Sequence, residues 1–173
     1  QHENAVLKMG ARIYGATTLG PHCVGGGEIK NSVFFAHSNK AHDGYLGDSV
    51  IGEWCNLGAG TSNSNVKNTG GAVNYITGKN SAGIAAGKKA GLLMGDYSRA
   101  AINTSFNTGT VAGVCCNIFG NDTPERYIEN FSWGRERYIF DKALNDISNW
   151  KKMKGRQLTE EEKSILTKLY NEE

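Results

Sequence analysis

From Tyr45 the chain reads YLGDSV, IGEWCN, LGAGTS: consecutive hexads with Tyr45, Ile51 and Leu57 in the first place and Ser49, Cys55 and Thr61 in the fifth. The beat is looser in IYGATT and LGPHCV, and it returns in INTSFN, TGTVAG and VCCNIF. A period of six belongs neither to a helix nor to an ordinary strand. It is one short strand plus one turn, and three such sides close a triangular coil of about 18 residues. The large first position is expected to fill the core, the small fifth position to fit a corner, and glycine or asparagine to allow the turn. Such coils stack as a solenoid in which each is buried only by its neighbours. The 23 glycines against 2 prolines, without a collagen period, fit a chain of many regular tight turns.

Two stretches break the period. Residues 62–90 are rich in Gly, Asn and Lys and read as a loop thrown out from one coil corner, and long insertions of this kind are usually functional. Past Phe131-Ser132-Trp133-Gly134 the pattern turns helical: Leu144, Ile147, Trp150 and Met153 recur every three residues before Gly155 stops the run. Thr159 and Glu162 then make a capping box ahead of Ile165, Leu166, Leu169 and Tyr170. The chain therefore divides into a β-helix over 1–134, carrying the insertion at 62–90, and a helical appendage over 135–173. The apolar faces of the appendage are expected on the solenoid end or on a neighbouring subunit.

Charge and cysteine usage narrow the function. A net charge of +2 argues against a nucleic-acid or acidic-surface binder. No apolar run approaches the roughly 20 residues of a membrane span. QHENAVLKMG lacks the basic start and apolar stretch of a signal peptide. Cys23, Cys55, Cys115 and Cys116 offer no C-x-x-C pair and read as buried free thiols of a reducing cytoplasm. The sequence does not begin with methionine, which suits a piece of a longer protein.

Arg12 and Lys30 stand 18 residues apart, so coils of that length would stack the two cations one rung above the other. Like charges at a rung spacing of about 5 Å repel, and a phosphate would compensate them. Arginine would supply a bidentate fork and lysine a point charge. His42, in AHDGYLGD, is a candidate general base, because a neutral imidazole takes a proton near neutral pH. Asn56 and Asn65 follow on the next coil and at the loop entrance, where asparagines either stack in ladders or face a ligand.

The segment AHDGYLGDSVIGEWCNLGAGT resembles the acetyltransferase domain of a bifunctional family, the N-acetylglucosamine-1-phosphate uridylyltransferases and glucosamine-1-phosphate N-acetyltransferases. Blocks at Ser38–Gly44, Ile51–Ala59, Phe106–Val111, Asn117–Gly120 and Phe131–Gly134 extend the resemblance in order and spacing over nearly the whole chain. It implies a mainly β fold, a left-handed parallel β-helix of hexapeptide repeats with a C-terminal pair of α-helices, and the left hand comes from the resemblance alone. It also implies acetyl transfer from acetyl-CoA to the amine of glucosamine 1-phosphate, with no metal required. His42 matches the general base, and Arg12 and Lys30 the phosphate-binding pair. Tyr45, Asn56 and Asn65 match residues that hold the amino sugar, and the segment around Ala59 matches part of the acetyl-CoA site. Related solenoids are homotrimers with sites between subunits. The chain departs from the family in two ways: the α/β nucleotidyltransferase domain is missing, and GDYSRAAINTSFNTGT replaces the usual coenzyme A pattern. Two rival readings remain. One is a γ-class carbonic anhydrase-like zinc enzyme, with His37 and His42 in H-x4-H spacing and His22 or His2 as a third ligand. The other is a non-catalytic trimerising or regulatory solenoid of a nucleotidyltransferase.

Overall fold

A computed structural model describes residues 2–172, so Gln1 and Glu173, the outer limits of the two expected units, lie outside the described residues. The chain winds as a parallel β-solenoid with three faces. The first face carries Val6–Leu7, Val24–Gly25, Asn39–Lys40, Asn56–Leu57, Arg99–Ala100, Asn117–Ile118 and Ser132–Trp133 in parallel, closed by an antiparallel Glu136–Arg137. Arg12–Tyr14, Glu28–Lys30 and Tyr45–Gly47 form the second face, continued by the pair Ser62–Asn63 and Ser105–Phe106. On the third lie Thr18–Leu19, Val33–Phe34, Val50–Ile51, Leu93–Met94, Val111–Ala112 and Tyr127–Ile128.

Each face points one residue per strand inward. Ile29 and Leu46 from the second face meet Phe34 and Ile51 from the third and Leu57 from the first, all at most 1% exposed. Burying each such side chain is worth about 1.5–3 kcal/mol. The hexads misplace one of these residues. In YLGDSV the core residue is Leu46, while Tyr45 turns outward and is half-buried, because this face uses three-residue strands. Phe34 is 1% exposed, so of the pair Phe34–Phe35 only Phe35 reaches the surface. The small fifth positions do sit at corners, and their hydroxyls bridge rungs. Ser49 Oγ accepts from Leu92 N at 2.9 Å, and Thr61 Oγ1 donates to Ala101 O at 3.1 Å. The four cysteines are free and buried.

Coil length is less regular than the hexads imply. Arg12 pairs with Glu28, 16 residues on, and Thr18 with Val33, 15 on. The shortening lies at the corner between the first and second faces. Lys8 to Ala11 fill it in the first coil and Ala41 to Gly44 in the third, but Gly26 and Gly27 alone fill it in the second. A Cβ on Gly26 would lie 2.3 Å from Ala41 O, and Gly27 has φ +64°, so no other residue type fits without strain.

The insertion is ordered. Residues 62–63 still belong to the coil, Val73 is fully buried, and Asn74–Tyr75 pairs antiparallel with Ile84–Ala85. Arg126 latches this hairpin to the later coils through Asn74 O and, at 3.1 Å, Thr108 O. Lys79 adds an ion pair to Glu129 at 2.9 Å.

The helices α1 (Phe140–Met153) and α2 (Glu160–Asn171) do not pack on the solenoid end. They lie along the corner between the third and first faces. There one residue per coil adopts left-handed φ: His22, His37, Trp54, Tyr97, Cys115 and Phe131, at +52° to +64°. Trp54, Tyr97, Cys115 and Phe131 pack with Ala143, Ile147 and Leu166 of the helices. The buried face of α1 is Ala143, Ile147 and Lys151, whereas Met153 is 77% exposed: a strict three-residue spacing drifts off a 3.6-residue helix. The Thr159–Glu162 capping box forms as expected. No helix among the described residues is long and apolar enough to cross a membrane.

Candidate functional site

On the second face, strand alternation sends Ile13, Ile29 and Leu46 inward and Arg12, Tyr14, Glu28, Lys30 and Tyr45 outward. Four of the expected site residues thus meet on or beside one surface: Arg12, Lys30, Tyr45 and, at its edge, Asn65. The stacking expected of the two cations does not occur, because the short second coil slides the register. Arg12 lies opposite Glu28 and Lys30 opposite Tyr14. Glu28 Oε2 accepts from Arg12 Nε at 3.4 Å and Nη2 at 3.1 Å, and Glu28 Oε1 from the Tyr14 hydroxyl at 2.7 Å. The Tyr14 hydroxyl and the Arg12 guanidinium hold the Glu28 carboxyl below its usual pKa. Lys30 Nζ stands 5.4 Å from the Tyr14 ring centroid and has no carboxylate partner among the described residues. One edge of the Arg12 guanidinium is therefore fixed, while Nη1 stays open to solvent on a side chain 66% exposed.

Tyr45 lies flat over Gly47, where any Cβ would fall 2.2 Å from its hydroxyl. That hydroxyl accepts from Asn65 Nδ2 at 3.1 Å, leaving its own proton free to donate. Burial, with the Asp48 and Glu28 charges, raises its pKa, so it stays a phenol. Asn65 Nδ2 also donates to Asp48 Oδ2 at 2.5 Å, and Asp48 Oδ1 accepts from Asn31 Nδ2 at 3.3 Å. Asp48 also helps burial raise the pKa of Tyr75, on the insertion hairpin. Glu28 and Asp48 were not singled out from sequence, although Glu28 has the two-residue spacing to Lys30 that puts both on one strand face.

His42 and Ala59 occupy the corner between the first and second faces on successive coils, joined by Gly60 N to Asp43 O at 3.0 Å. The His42 side chain is exposed and hydrogen-bonds to no described residue. Ala59 O accepts from Asn103 N at 2.7 Å, but the Ala59 N–H has no partner among the described residues. Asn56 points outward on the first face, between Asn39 and Arg99 of neighbouring coils, and so lies around the corner from Tyr45 rather than beside it.

His37 is set apart. It stands at the helix-covered corner, stacked between His22 at 4.7 Å and Trp54 at 4.1 Å, on the opposite side of Asn39–Lys40 from His42. Burial, then the nearby His22, Lys154, Arg156 and Lys151, pushes its pKa down to about 4. The H-x4-H spacing does not make a ligand pair here, and no group of three His, Cys, Asp or Glu able to hold a metal occurs among the described residues.

No protein-family model matches the chain. Its sequence is similar to proteins named bifunctional protein GlmU. That of Methanocaldococcus jannaschii is 32% identical over 117 residues, which cover 66% of this chain and 28% of the relative. For Methanococcus maripaludis the figures are 31% over 121 residues, 68% of this chain and 29% of the relative. For Trichodesmium erythraeum they are 42% over 57 residues, 32% and 12%. The chain spans less than a third of the length of these relatives.

Proposed function

Because this chain resembles the C-terminal acetyltransferase region of the GlmU family, we propose that it transfers the acetyl group of acetyl-CoA to the amine of glucosamine 1-phosphate. The observation that carries the reading is the second face: a pre-oriented arginine, a lysine without a carboxylate partner and a phenol free to donate converge beside the corner that bears His42. Arg12 and Lys30 hold the phosphate, with Glu28 orienting Arg12, and this contributes position rather than bond-making. Tyr45 and Asn65 hold the sugar, and Asn56 reaches it from around the corner or from a neighbouring subunit. His42 takes a proton from the amine, whose nitrogen attacks the thioester carbonyl. The C–N bond forms, the C–S bond breaks, and the coenzyme A thiolate recovers a proton. The N–H of Ala59, which has no partner among the described residues, faces the developing oxyanion.

Acetyl-CoA is a co-substrate of the cytoplasm, in keeping with four free buried thiols. The assembly is a homotrimer. The third face leaves an apolar row in water, with Val33 36%, Val50 40% and the flanking Phe35 51% exposed. Burying apolar area is worth about 25 cal/mol per Å², and cyclic packing removes the row without leaving a sticky edge. The test is mass spectrometry of glucosamine 1-phosphate after incubation with acetyl-CoA and the protein. A gain of one acetyl group on nitrogen is expected. An unchanged acceptor would leave the solenoid as a trimerising or regulatory module.

A further inference from the structure

The inward column of the first face reads Gly25, Lys40, Leu57, Ala100, Ile118. Lys40 is its charged member, and its side chain is fully buried in the coil. It has no ion pair among the described residues. Instead its ammonium donates to two backbone carbonyls, His42 O at 2.8 Å and Asp43 O at 3.1 Å. A buried ammonium without a carboxylate opposes folding, and replacing such a charge by an apolar side chain is often stabilising. Burial draws its pKa down to about 8, and Asp43 is the charged group that pulls the other way. A leucine here would continue the column, so the lysine must answer a local need.

That need comes from the corner mismatch. The two-glycine corner below presses against the four-residue corner Ala41 to Gly44. Beneath His42 O lies Gly27, whose added Cβ would come within 2.7 Å of that oxygen. With two residues missing below, no backbone N–H is available to His42 O, and Lys40 is its partner among the described residues. Asp43 O has Gly60 N as well. The grip fixes the peptide planes on either side of Asp43, and with them the direction in which the His42 ring leaves the corner.

We infer that Lys40 is a positioning residue: from inside the coil it holds the carbonyls of His42 and Asp43, and so aims the His42 imidazole at the second face outside. This rests on reading His42 as the base. Lys40 touches no substrate, so its loss should act on the chemical step rather than on binding.

Lys40→Met keeps the length of the stem and removes the ammonium. The expected result is a kcat lower by roughly ten- to a hundredfold, the scale of a catalytic group displaced by about 1 Å, with KM for both substrates unchanged. In proton–carbon NMR the His42 ring signals should shift, while those of His2 and His22 stay in place. Should the variant not fold, the unaltered protein provides the test. As the pH is raised until the Lys40 ε-carbon signal reports loss of its proton, the His42 ring signal should move with it, while that of His22 should not. Wild-type kcat with unmoved His42 signals in Lys40→Met, or a His42 ring signal that does not follow the Lys40 titration in the unaltered protein, overturns the inference. A wild-type protein without acetyl transfer would instead overturn the proposed function, and the NMR would still judge Lys40.

Discussion

The helix-covered corner and the open second face are built from the same coils and treat charge in opposite ways. At the corner Lys151, 5% exposed, pairs with Glu162, whose carboxylate also accepts from the Tyr97 hydroxyl at 2.9 Å and the Thr159 backbone at 2.8 Å. Burial alone would raise the pKa of Glu162, yet Lys151, Thr159 and Tyr97 together hold it at about 2. Lys154 is anchored likewise, on His37 O and Asn39 Oδ1. On the second face one edge of Arg12 is open, Lys30 has only an aromatic ring, and Tyr45 keeps a proton to give. The Lys151–Glu162 pair with its hydrogen bonds fastens the helices, whereas groups left with spare hydrogen bonds on an open face can hold a ligand.

This contrast breaks in measurable places. The largest effect belongs to His42→Ala, which should lower acetyl transfer by about 10²–10⁴-fold, the usual contribution of a general base. Its melting temperature should not change, because the side chain is exposed. Near-normal turnover at saturating substrates would remove His42 as the base. Next come Arg12→Ala and Lys30→Ala. Losing a charged hydrogen-bonding partner costs about 1.5–3 kcal/mol, so KM for the sugar phosphate should rise roughly ten- to a hundredfold while KM for acetyl-CoA stays put. Equal weakening of both substrates would mean that these residues hold the fold.

Glu162→Ala inverts the pattern. It strands a buried Lys151 and should cost about 2–3 kcal/mol in urea unfolding, less than the 3–5 of a fully buried pair because Glu162 is partly exposed. Turnover at low temperature should persist. Loss of activity before loss of structure would tie the helices to the chemistry. The smallest effect is one of pH. His37 binds its proton less readily folded than unfolded, so between about pH 6.5 and 4 the unfolded state holds more protons and stability falls as the solution is acidified. Tryptophan fluorescence of the helix-covered corner should report this window, and His37→Phe should flatten it. A profile left unchanged by that substitution would place the acid sensitivity elsewhere.

Much of the architecture can be read from the hexads, since a six-residue period admits few folds. What they hide is any departure that keeps the same residue types. Gly26 and Gly27 look like ordinary turn glycines, yet their short corner moves Arg12 onto Glu28 and undoes an 18-residue spacing argument. Nothing in the sequence around Lys40 marks it as inward. The docking of the helices was equally hidden. His22, His37, Trp54, Tyr97, Cys115 and Phe131 share a backbone conformation rather than a side-chain type, so no pattern of residues marks their corner. Of the expected site, Tyr45 came from the family resemblance alone, because its place in the hexads pointed inward and only the three-residue strand turns it outward. The bridge from Tyr45 through Asn65 to Asp48 could not be read, because it closes across a turn of the solenoid.

The most direct measurement is thiol release from acetyl-CoA by the unaltered protein across three acceptors: glucosamine 1-phosphate, glucosamine and glucose 1-phosphate. An amine for His42 and a phosphate for Arg12 and Lys30 are both required by this account. Rapid release is expected with glucosamine 1-phosphate, weak release with glucosamine and none with glucose 1-phosphate. Equal release with glucosamine and its 1-phosphate, or none with either, would contradict it.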